Sequence, residues 1–460
     1  MFIKLSSHFN FSSIAVGVPV VVKTNASSSL RGHILTMMLS SHVQFKTQPP
    51  KEASLRVLLL VLLYTWVIYF LLSFTSGAYK NINAEVADGT FSNKLFWISV
   101  FIYALYLWQM RKTYKLYNLS WHIYLLIIYM VLAVLSAFWS DVPLISLRRS
   151  LQQVMMIFCL LTPFLHGVNR TLILDKVCQV LAIFILINVA LIPVFGIADF
   201  GYRGICPQKN ILGQISTVAF FFCSYAAIAK VGVLRKGYVA ISIMAVGLCL
   251  ISNSKTSLAL LVSVPVLSFV LIQFATIEDN LKRIAWLFFI IITTYLIYAA
   301  SILIPFDIYD ISSLMYHDRT FTGRTAIWDF SGYYINQSPV VGFGYGSFWG
   351  VGSSSKAIGQ GFIDGLLQAH NGYVDIVLEL GYLGLAVATL FILVLVNNIF
   401  KTSKKHKMLG MLLFSSLLFV LLNNTMESSL FRGYAPLWIV VLLCVGLASP
   451  EYEKIDQERL

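Results

Sequence analysis

His370-Asn371-Gly372-Tyr373 opens an apolar run that passes Glu379, Gly381 and Gly384 and ends near Phe400, directly after the longest polar loop of the chain. An imidazole is thereby set at the mouth of a membrane helix, and a histidine, titrating at about pH 6.5, is suited to moving a proton near neutrality. Glu379 is the deepest acid, and an ionisable group at such a depth must face the bundle interior or water. Titratable groups gathered at one boundary between water and lipid read as an enzyme working on a lipid-borne substrate.

The elements that position these groups follow from composition. With 58% hydrophobic residues, 12% charged and a mean hydropathy of +0.79, a soluble globular chain is excluded and an all-α polytopic membrane protein is expected. The cysteines Cys159, Cys178, Cys206, Cys223, Cys249 and Cys444 fall mostly in apolar runs without metal-ligand spacing, so they read as packing residues and no metal site is expected. The net charge of +13 lies in short clusters between apolar runs, which is a topology signal and not a nucleic-acid face.

A span needs about 20 apolar residues, and about twelve segments qualify. They lie near 55–74, 93–110, 121–139, 147–165, 175–197, 211–230, 236–252, 257–276, 284–304, 372–399, 408–424 and 433–448. Residues 51–304 thus hold helices 1–9 and residues 372–448 helices 10–12. Arg111/Lys112/Lys115, Lys230/Arg235/Lys236, Lys282/Arg283 and Lys401/Lys404/Lys405/Lys407 all fall on one side, which the positive-inside rule makes cytoplasmic, together with both termini. Residues 1–50 read as a disordered cytoplasmic tail, with Met37 or Met38 a candidate for the true start, and 449–460 as a second cytoplasmic tail. Arg203, Lys255 and the loop 305–371 then face the periplasm or exterior.

Between helices 9 and 10, the loop 305–371 is too long for a plain connection. Ile327, Phe330 and Tyr334 follow a Thr322 cap at the spacing of a short amphipathic helix lying in the interface. Gly342, Gly344 and Gly346 with Phe348 and Trp349 read as an aromatic turn; their spacing fails the dinucleotide fingerprint. On a helical projection Gly381 and Gly384 share a side with His370 and invite close approach of another helix. Phe348, Trp349 and Trp328 read as interface anchors, Arg148 and Arg149 as structural or lipid-facing.

Gly323-Arg324 with Trp328, then Pro339, Gly342, Gly344 and Phe348, then His370-Asn371 with Gly381 and Gly384, form a pattern that resembles the O-antigen ligase and polysaccharide polymerase superfamily. Ala369-His370-Asn371-Gly372-Tyr373, Trp139-Ser140 with Pro143, Arg203-Gly204 with Lys209-Asn210, and Ser252-Asn253-Ser254-Lys255 are most similar to its exopolysaccharide-production, succinoglycan-type branch. The resemblance covers most of residues 55–448 and implies a GT-C-like fold in the bacterial cytoplasmic (inner) membrane.

It also implies a glycosyltransferase that polymerises polyprenyl-diphosphate-linked oligosaccharide repeats, of the undecaprenyl type, onto a glycan acceptor at the outer face. The expected reaction is an inverting displacement without metal or other cofactor, in a protein whose partners are membrane lipid and a chain-length regulator. The resemblance makes His370 the general base and Arg324 the planar fork on the leaving diphosphate, with Lys255, Arg203, Lys209 and Asn371 as substrate-binding residues. Lys255 departs from the ligase pattern, which has arginine there, and Gln208 replaces the histidine before Lys209-Asn210. The alternatives are a ligase that moves finished glycan to lipid A core or another acceptor, and a transporter of lipid-linked sugars. A transporter places its polar groups near mid-membrane in paired repeats, whereas here they collect at one face.

Overall fold

The computed structural model describes residues 54–63, 65, 91–109, 119–196, 201–277, 323–351, 354–357, 361–433 and 435–449. Outside them lie the two tails, the span near 284–304, the Thr322 cap, and the basic clusters at Arg111/Lys112/Lys115 and Lys282/Arg283. Every regular element among the described residues is helical.

The helices are α1 (Ser54–Leu63), α2 (Phe91–Gln109), α3 (Trp121–Leu135), α4 (Pro143–Leu165), α5 (Arg170–Ala190), α6 (Lys209–Ala229), α7 (Gly232–Ile251), α8 (Lys255–Thr276), α9 (Arg324–Gln337), α10 (Gly372–Lys405), α11 (Lys407–Asn423) and α12 (Pro436–Leu447). Seven of the described helices are long and apolar enough to cross a membrane; α1, α2, α11 and α12 are shorter apolar helices. This is a multi-pass membrane protein.

α12 sits at the centre with Trp438 fully enclosed, packed against α4 and α11. α6 is the most buried of the long spans and is flanked by α5 and α7, whereas α7 and α8 turn much of their apolar surface outward. An apolar stripe all round the bundle is what lipid requires. All six cysteines are buried, free thiols in this packing.

One expectation is overturned at α10. The helix kinks at Gly381, whose φ of 63° and ψ of −169° are tolerated essentially by glycine alone. It is not a neighbouring helix that approaches there but the loop after α9, and a Cβ on Gly381 would collide with the Val340 carbonyl. The kink breaks the helical ladder, and the loop supplies the missing partners. Phe343 N donates to Leu378 O at 2.8 Å and Gly344 N to Glu379 O at 2.8 Å, while Tyr382 N donates to Pro339 O at 2.8 Å and Leu383 N to Val340 O at 3.1 Å. Backbone without such partners would be costly at membrane depth. A straight helical projection therefore fails beyond Leu380; Gly384 faces Leu380 of its own helix.

Candidate active site around Glu427

α9 begins at Arg324 behind Gly323, a left-handed N-cap with φ 82°. The helix does not lie free in the interface. Ile327 is buried in a satellite core with Phe348, Trp349, Ala369 and Leu378, and Phe330, Tyr334 and Phe343 close its edge. Phe348 meets Phe330, Tyr334, Phe343 and Trp349 at ring separations of 4.9 to 6.2 Å, so the aromatic turn is packing and not a pair of lipid anchors. Arg149 holds this turn from α4: its guanidinium donates to the carbonyls of Gly346, of Trp349 at 3.1 Å and of Gly350 at 2.8 Å. Its role is structural.

Because α9 is packed this way, Arg324 points inward. Its Nη2 lies 3.1 Å from Glu427 Oε1. The other oxygen of the same carboxylate, Oε2, is 3.1 Å from His370 Nδ1. Asn210, in the first turn of α6, donates to Oε1 at 2.8 Å, and Gln368 donates to Oε2 at 3.3 Å. One carboxylate thus joins α6, α9, the residues before α10 and the segment between α11 and α12. Burial pushes the Glu427 carboxyl up, but the hydrogen bond and charge of His370, the charge of Arg324 and the Asn210 hydrogen bond outweigh burial and hold it below the ordinary carboxylate range.

With an ionised oxygen as its partner, His370 Nδ1 is the nitrogen that carries a proton, and in the neutral ring Nε2 is the one with a free lone pair. The His370 side chain is 25% exposed against 10% for Glu427, so the imidazole is the member that can reach a substrate. Asn371, expected at the substrate, is the N-cap of α10: its Oδ1 accepts from Tyr373 N at 3.1 Å and Val374 N at 3.3 Å. The first turn of α10 is further tied to the α11 end by Gly372 N donating to Asn424 O at 2.8 Å.

The other expected cations come from neighbouring segments. Lys209 precedes Asn210 at the start of α6. The α6 backbone at Gly213 lies closer to Ser254 than a side chain would allow, which brings the start of α8, and Lys255, beside the first turn of α6. Arg203 is exposed on a segment anchored to the end of α7, just before Lys255, where Tyr202 N donates to Ile251 O at 2.8 Å. Lys230, Lys404, Lys405 and Lys407 occupy the far ends of α6, α10 and α11.

Behind the site is a second ionic group. Asp375 Oδ2 is 2.8 Å and Glu379 Oε1 3.6 Å from Arg432 Nη2, so Glu379 does face the interior. Glu427, Gln368 and Arg432 were not among the expected site residues. A signal for two of them exists in the sequence, since Glu427 and Arg432 are the only charged residues between Met408 and Ala448.

Residues 235–389 match the O-antigen ligase family, which takes in α7, α8, α9 and the start of α10 with His370. The chain is also 26% identical over 292 residues to the exopolysaccharide production protein ExoQ of Rhizobium meliloti (strain 1021), covering 60% of this chain and 64% of that relative. The aligned part therefore spans less than two thirds of the relative's length. Family match and relative agree with the His370 and Arg324 motifs in their likeness to the O-antigen ligase and polysaccharide polymerase superfamily.

Proposed function

We propose that the chain is a glycosyltransferase of the outer face of the bacterial cytoplasmic membrane that polymerises polyprenyl-diphosphate-linked oligosaccharide repeats. The observation that carries this reading is the division of the Glu427 carboxylate between a histidine and an arginine, 3.1 Å from each. An acceptor hydroxyl gives its proton to His370 Nε2 as its oxygen bonds to the anomeric carbon of the donor sugar. The bond from that carbon to the diphosphate oxygen breaks with its electron pair, and polyprenyl diphosphate leaves with inversion at the carbon. Arg324 faces the negative charge that develops there, and Lys255, Arg203 and Lys209 add fixed positive charge on the same side. Asn371 contributes by capping the helix that presents His370. The basic far ends of α6, α10 and α11 support an outward-facing site by the positive-inside rule.

A ligase would use the same groups with a different acceptor. The exopolysaccharide production named for the relative favours polymerisation. The test is reconstitution of the purified protein in liposomes with a polyprenyl-diphosphate-linked repeat unit, with and without lipid A core. A glycan ladder and free polyprenyl diphosphate without core support the polymerase. Product only with core makes the chain a ligase, and unchanged donor in both contradicts glycosyl transfer.

A further inference from the structure

We propose that Asp375 and Arg432 are positioning residues for His370, acting through the backbone that precedes it; this rests on the reading of His370 as proton acceptor. His370 has a φ of 51°, a left-handed conformation that a residue with a Cβ keeps only where its surroundings over-determine it. Three elements do so. Ala369 N donates to Asp375 Oδ1 at 3.1 Å and Oδ2 at 3.3 Å. Ala369 O accepts from the Trp328 indole of α9 at 3.1 Å. Leu367 O accepts from Arg432 Nη1 at 3.1 Å.

The two charged members are themselves joined, because Arg432 Nη2 closes on Asp375 Oδ2 at 2.8 Å. Asp375 Oδ1 takes a further hydrogen bond from the Trp349 indole at 2.8 Å. The Asp375 side chain is 3% exposed, too enclosed to meet a sugar or a diphosphate. A buried ion pair is a weak source of net stability, since desolvation offsets most of its attraction, but a strong constraint on geometry. Here the geometry it constrains is the turn that aims the imidazole. Glu379, 3.6 Å from Arg432 and just before the Gly381 kink, ties the same arginine to the bend in α10.

The test uses the full-length protein in liposomes with a polyprenyl-diphosphate-linked repeat unit. Asp375→Asn keeps an acceptor for Ala369 N and the Trp349 indole but removes the charge facing Arg432, and Arg432→Lys keeps the charge but not the reach to Leu367 O. Turnover should fall about a hundredfold in each, the scale of a misplacement of about 1 Å, with donor KM within about twofold and the pH midpoint unmoved. Placed on His370→Ala, Asp375→Asn should cause no further loss of residual turnover. Wild-type turnover in either variant, a KM that rises in step with the lost turnover, or additive loss on His370→Ala overturns the positioning role. Should Asp375→Asn fail to accumulate, Arg432→Lys is read by the same criteria. Failure of the underlying reading is distinct, since His370→Ala would then turn over like wild type whatever the other variants do.

Discussion

His370 Nδ1 stands 3.1 Å from Glu427 Oε2, and the partner oxygen of that carboxylate is 3.1 Å from Arg324 Nη2. The base and the cation of the proposed reaction are therefore set relative to one another by a single side chain, 57 residues beyond the histidine. Of the two neutral histidine tautomers, the carboxylate favours the one with its proton on Nδ1, and it holds the guanidinium in place.

Glu427→Gln should lower turnover at least tenfold, on the scale of about 10²-fold for weakened general-base catalysis, because an amide can accept from His370 but offers no charge to its developing imidazolium. Stability should change with pH as well. The carboxyl is held below its ordinary value in the folded state, so its contribution is complete above that ordinary value, about 4.3, and is lost as pH falls through the depressed one. Melting temperature in detergent should drop on acidification below about pH 4, and Glu427→Gln should show a smaller drop from a lower value at pH 7. Identical acid limbs in the two proteins would count against an ionised Glu427 in the fold.

Arg324→Lys should abolish most polymer while leaving the protein in the membrane. A lysine can pair with Glu427, but it cannot offer a planar fork to the diphosphate. The measurement is surface glycan on a gel beside membrane content of the protein. Normal polymer length and amount would mean that Arg324 serves only the Glu427 ion pair.

Gly381→Ala should destabilise the protein by at least about 2 kcal/mol, from left-handed strain together with displacement of the loop at Val340. Thermal melting reads it, and transfer activity should fall with it because that loop continues into the aromatic turn. An unchanged melting temperature would mean that the kink is not required.

Within the candidate site, His370 and Arg324 stand out in the sequence because each lies in a local pattern, a histidine at the start of an apolar run and an arginine one residue after a glycine. Seven of the expected spans were legible through hydropathy alone; four more expected segments hold shorter apolar helices among the described residues, and 284–304 lies outside them. Glu427 was not legible in that way. It stands in Asn423-Asn424-Thr425-Met426-Glu427, a segment without periodicity, and its partners come from residues 210, 324, 368 and 370. The Gly381 kink was hidden for a related reason. Apolar periodicity continues unbroken through it, and only the backbone hydrogen bonds from residues 339–344 reveal that the helix bends. Asn before Gly372-Tyr373-Val374 is also a helix-cap pattern, and the side-chain oxygen of Asn371 caps α10.

The most direct test of the central claim is the behaviour of His370→Ala and His370→Gln in cells and in liposomes. If Nε2 of His370 takes the acceptor proton, neither variant should make polymer, because glutamine can hydrogen-bond but cannot accept a proton at neutral pH. Polyprenyl-diphosphate single repeats should accumulate in both, seen by chromatography beside a gel of surface glycan, since donor assembly lies upstream. Wild-type polymer from His370→Gln would make the side chain a positioning group that moves no proton, and wild-type polymer from His370→Ala would remove it from the site.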